Sequence, residues 1–139
     1  MRVIVFAVLL WSSLDGAVAE SATPPQPAPA DASEFGFATP DDALRDLRSR
    51  RGVTITNQGG WTVVDDRENL TLWSFTPPGH PAHPAGVKRT IVKDSSGNVS
   101  VVMSARCGAS KTACDKLWSE FNELNNRMRQ SIQSDLRAR

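Results

Sequence analysis

Five short β-rich runs between residues 53 and 106 constrain this chain most, because the links between them are too short for most alternative arrangements. Residues 53–56 alternate and end at Asn57-Gln58-Gly59-Gly60. Residues 61–64 follow, then the polar stretch 65–69, and a third run spans 70–75. A proline-rich loop leads to the fourth run, 87–93, and Asp94 to Asn98 turn the chain into the fifth, 99–106. Parallel strands need crossovers of a dozen residues or more, so these links predict an antiparallel meander. In the fifth run Val99, Val101, Met103 and Ala105 share one parity, which Cys107 continues, while Ser100, Ser104 and Arg106 share the other. Such alternation calls for at least one covered face.

The cover is predicted to be a C-terminal helix over about residues 113–134. Leu117, Phe121, Leu124, Met128 and Ile132 recur at steps of four, three, four and four, which places them on one helical stripe. Thr112 with Asp115 resembles a capping box. Before the strands, Thr39-Pro40-Asp41-Asp42 reads as a helix start: a capping hydroxyl, a proline suited to the first turn, and two acids for the positive helix end. Arg48, Arg50 and Arg51 suit its negative end as surface charge, and Gly52 can terminate it. The expected fold class is α+β: a short N-terminal helix, an antiparallel sheet of about five strands and a long C-terminal helix packed on it.

The N-terminal quarter reads differently. Arg2 precedes the apolar run 3–11, Ser12, Ser13 and Asp15 break it, and Ala17-Val18-Ala19 is a small-x-small cleavage signal. This is the pattern of a signal peptide cut after Ala19, and nine apolar residues are too few to span a bilayer as a helix. Residues 21–34 hold four of the nine prolines and no large apolar residue, which predicts a tether. The expected organisation is a signal peptide at 1–19, a Pro/Ala-rich tether at 20–34 and one domain at 35–139. The mature chain is expected in the periplasm or secreted, without a transmembrane segment.

Net charge is +1, from sixteen basic and fifteen acidic residues, but residues 35–139 carry fifteen basic against eleven acidic, or +4. The near-neutral whole argues against a polybasic nucleic-acid binder. Two cysteines, Cys107 and Cys114, flank the step from the last strand to the last helix. In an oxidising compartment they are expected to pair as a clip; a reactive thiol near a helix N-terminus is the alternative.

The segment Thr76 to Pro84 is the most unusual. It holds four prolines and both histidines, His80 and His83, between Trp73/Phe75 and Lys88/Arg89. Proline restricts itself and the residue before it, so the loop is expected to be stiff and extended. These six residues, Trp73, Phe75, His80, His83, Lys88 and Arg89, are the candidate binding surface, toward another envelope or secreted protein. His80 and His83 are weak metal candidates, since two ligands fall short of the usual three or four. No cofactor is expected. Asp65, Asp66 and Glu68 do not match a calcium loop and read as a solvated turn. Asn69 and Asn98 fit the N-glycosylation pattern, which matters only in a eukaryotic export route. No nucleophile–base, paired-carboxylate or phosphate-loop motif stands out, so no catalytic residue is assigned.

The stretch WSFTPPGHPAHPAGVKR, residues 73–89, resembles a recurring segment in small uncharacterised exported proteins of proteobacteria, with weaker likeness in WTVVDD and CDKLWSEFNELNNRM. The resemblance implies a bacterial envelope setting and transfers no catalytic or ligand residue. The expected function is a non-enzymatic exported binding protein, such as an envelope accessory factor, inhibitor or immunity-type protein. A metal or redox role through His80/His83 or Cys107/Cys114 is the alternative, and a small hydrolase is a third.

Overall fold

A computed structural model describes residues 32–138. The expected signal peptide, its cleavage after Ala19 and most of the tether lie outside the described residues. The fold is α+β. In chain order the elements are α1 (Ala32–Phe35), α2 (Pro40–Ser49), β1 (Val53–Gln58), β2 (Trp61–Asp66), β3 (Thr71–Phe75), β4 (Ala85–Lys93), β5 (Val99–Cys107) and α3 (Lys111–Arg137). The five strands form one antiparallel sheet in sequence order, β1-β2-β3-β4-β5. Residues 32–34, assigned by composition to the tether, are already part of α1.

Local chemistry explains most boundaries. The Thr39 hydroxyl accepts the Asp42 N–H at 3.1 Å, the expected cap of α2, with Pro40 in the first turn. The β1–β2 hairpin turns through Gly59 and Gly60, both at positive φ, as a two-residue turn matched to strand twist requires. At α3 the cap is Ser110, whose hydroxyl accepts the Ala113 N–H at 3.3 Å, and not Thr112. Just before it Cys107 is bonded to Cys114, with their Cα atoms 5.9 Å apart. The helix starts at Lys111, two residues sooner than expected.

Both faces of the sheet are covered, where the sequence called for at least one. Register puts Val64, Trp73 and Lys88 abreast on one face and Leu72, Arg89 and Met103 abreast on the other. On the first face Phe35 from α1 and Ala43 and Leu47 from α2 pack on Val64, Trp73 and Phe75. Gly86 permits this closeness, since a Cβ there would stand 3.0 Å from both the Phe35 and Phe75 rings. On the second face Leu117 and Phe121 of α3 pack on Ala82, Ala85 and Val87, with Met103 and Ala105 alongside.

The course of α3 positions the candidate site. It leaves the sheet beside Cys107 and runs back along β5, so that Asn125 meets Met103 and Met128 meets Arg89. Residues 111–125 supply the buried positions Leu117, Phe121 and Asn125; beyond them Met128 and Ile132 are half-buried. The sheet end that carries Leu72, Ile91 and Val101 is therefore covered less completely than the disulfide end.

Candidate functional site

The proline–histidine segment is folded back on itself, contrary to the extended loop expected from its prolines. Pro77-Pro78-Gly79-His80 form one turn, closed by the His80 N–H on the Pro77 carbonyl at 3.1 Å, with Gly79 at φ +87° as a type II turn demands. His80-Pro81-Ala82-His83 form the next, closed at 2.9 Å. Proline at the second position of each turn favours folding rather than extension. Thr76 ties the two ends: its N–H donates to the Ala85 carbonyl at 3.0 Å and its hydroxyl accepts the Ala85 N–H at 2.9 Å.

Both histidines serve this architecture. His80 Nδ1 accepts the Ala82 N–H at 3.1 Å, and its ring meets the edge of Trp61 at 5.0 Å between centroids. His83 Nδ1 donates to the Thr76 carbonyl at 3.1 Å. Among the described residues no group of three His, Cys, Asp or Glu could hold a metal ion.

The six candidate residues do not form one surface. Trp73 and Phe75 are 3% and 4% exposed and belong to the first-face core, where Phe35 and Phe37 pack edge-on to Trp73 at 5.2 and 5.9 Å. Lys88 lies on that face too, 5.3 Å above the Trp73 ring, and donates to the Glu34 carbonyl at 2.9 Å. Arg89, its neighbour in sequence, points to the opposite face and is 7% exposed. Only His83 of the six is exposed. The parity of β3 and β4 decides these placements, because alternate residues go to opposite covers.

Arg89 marks a different site. Arg89, Leu70, Leu72, Ile91, Val101 and Met128 line a cleft of about 400 Å³, and Asp65, Arg67 and Thr71 complete its lining. That volume lies within the range of small-ligand sites, about 300–1,000 Å³. Arg89 forms no salt bridge with any described residue. Its Nε is buried without a hydrogen-bond partner, and its Nη1 reaches only the Met128 sulfur, at 3.7 Å. The Phe121 ring lies 5.2 Å from the guanidinium carbon, a cation–π contact that offsets only part of the lost hydration. Burial lowers the Arg89 pKa from its ordinary value, yet arginine remains protonated in proteins. Desolvation of an unpaired cation carries a cost that a bound anion would offset.

Two further features belong to the cleft. Leu70 is 57% exposed and sits at φ +50°, uncommon for a residue with a branched side chain. The Ile91 N–H donates to its carbonyl at 2.9 Å and holds it in place. Asp65, the acidic group of the lining, is paired with Arg67 at 3.1 Å, so it leaves the Arg89 charge uncompensated. Sequence reasoning named Arg89 as a loop flank and missed its setting. The available signal was parity: Val87, Arg89 and Ile91 share a face, so the charge interrupts an apolar row.

Cys107 and Cys114 form the expected clip, and the described residues include no free thiol. No described helix is long and apolar enough to cross a membrane. Comparison with protein-family models, with curated proteins and with solved structures found no match for this chain.

Proposed function

We propose that this chain is an exported, non-enzymatic binding protein whose ligand seat is the cleft beside Arg89. The export half rests on the Arg2, apolar-run and Ala17-Val18-Ala19 pattern. The binding half rests on one observation: a buried guanidinium without a counter-ion beside an apolar cleft. Convergence of a few polar groups in an apolar concavity is the usual design of a ligand site. The proline–histidine turns then serve as a buttress, since Ala82 packs with Leu117 and Phe121 and holds the near end of α3.

Protein recovered from the envelope fraction of an expressing bacterium tests both halves. Its intact mass should correspond to a chain beginning at Glu20, and titration with decanol should shift the methyl resonances of Leu70, Leu72, Ile91, Val101 and Met128. Retention of the full chain inside the cell overturns the export half. Shifts confined to the Thr76–Pro84 turns, or no shifts, overturn the cleft.

A further inference from the structure

We infer that the cleft takes a single-chain amphiphile with a carboxylate head, the carboxylate seated on Arg89 and the chain along Leu72, Ile91, Val101 and Met128. The inference rests on the binding reading above and adds the ligand's chemistry to it.

Charge decides the head group. Along the register Arg89 lies directly between Leu72 and Met103, neither of which offers it a carboxylate or other oxygen acceptor. Phe121 covers one side of the guanidinium and Met128 touches Nη1. Charge-assisted hydrogen bonds to a desolvated guanidinium are among the strongest available, and its planar fork matches a carboxylate edge to edge. The acid already in the lining is tied to Arg67, so an incoming anion meets a net positive site.

The lining decides the tail. Five of the nine lining residues are Leu, Ile, Val or Met, and Leu70 and Ile91 are exposed enough for a chain to cover. Met128 is unbranched and adaptable, a residue suited to closing over chains of varied length. An acidic protein segment would satisfy the charge, but it would set polar backbone against Leu72, Ile91, Val101 and Met128, the apolar part of the lining.

Titration calorimetry on the full chain and on Arg89→Met, with dodecanoate, dodecyl phosphate, dodecyl maltoside and dodecyltrimethylammonium below their micelle concentrations, tests this. Dodecanoate should bind most tightly and the cationic chain least. Arg89→Met should weaken dodecanoate by about 10- to 100-fold, the worth of charge-assisted hydrogen bonds, and leave dodecyl maltoside unchanged. Its thermal midpoint should hold or rise, because an unpaired buried charge has been removed. Arg89→Lys, which keeps the charge but loses the fork, should bind dodecanoate with intermediate affinity and covers the case in which Arg89→Met does not fold.

Equal binding of dodecanoate and dodecyl maltoside by the parent chain overturns the anionic head while the cleft stands. Tighter binding of dodecyl phosphate overturns the carboxylate. No binding of any chain overturns both this inference and the binding reading, and a self-associated dimer that dodecanoate cannot dissociate assigns the cleft to a second copy instead.

Discussion

The two faces of the sheet are covered by unlike means. The first face is packed at its middle by a short segment, one turn of helix, α2, and the aromatic group Phe35, Phe37, Trp73 and Phe75, while Ile55, Val92 and Val102 stay exposed toward its margins. The second face is covered by one long helix, tied by a disulfide at one end and less closely seated at the other. Close packing favours stability. Incomplete cover leaves room beside a strand, and this chain places its uncompensated cation there. The difference shows how one sheet can keep a rigid core and a receptive surface back to back.

Three measurements sharpen the contrast, from the largest expected effect down. Phe35→Ala should cost about 3–5 kcal/mol in denaturant unfolding, because Phe35 is fully buried among Trp73, Phe75 and Leu47 and its loss leaves a cavity. A small loss would show that this aromatic cluster is loosely packed. The pair Cys107→Ala and Cys114→Ala should cost about 2.5 kcal/mol, the loop-closure value for an eight-residue ring. Hydrogen exchange in that variant should rise in α3 more than in α2; uniform loss would mean that both faces open together. Thr39→Ala should cost about 1 kcal/mol by removing the α2 cap. The Thr39 hydroxyl and then Arg45 hold the Asp42 carboxyl below its ordinary pKa. That contribution is present at neutral pH and is lost as pH falls through the depressed folded value, so Thr39→Ala should raise the Asp42 pKa in an NMR titration and leave stability less sensitive to acid.

Much of this was legible beforehand, for physical reasons that can be named. The five strands were readable because turn residues punctuate them, and their observed bounds differ from each reading by no more than two residues at an end. The α2 cap was readable because Thr-Pro-Asp-Asp combines three independent preferences. The Ser110 cap was not, because Ser110 and Thr112 carry the same capping hydroxyl and sequence alone does not choose between them. Trp73 and Phe75 were assigned to a surface because their parity shows that they share a side without showing what lies above it. That depends on Phe35, nearly forty residues earlier. Extension of the proline loop was expected from each proline singly, whereas paired turns need Gly79 and the Thr76–Ala85 closure together.

The strand order has a consequence for how the molecule assembles. Each strand pairs with its neighbours in sequence, so the sheet closes in small loops and carries a low contact order, a pattern associated with rapid folding. The N-terminal segment breaks that rule. It crosses the sheet to reach strands far along the chain: Lys88 meets the Glu34 carbonyl across 54 residues, and Arg106 donates to the Phe37 carbonyl across 69. The second of these closes a longer loop than the contact of Trp61 with Phe121 of α3, and carries the larger loop-closure entropy. The first residues of the fold are therefore suited to dock last, over a sheet and a clipped helix that are already in place.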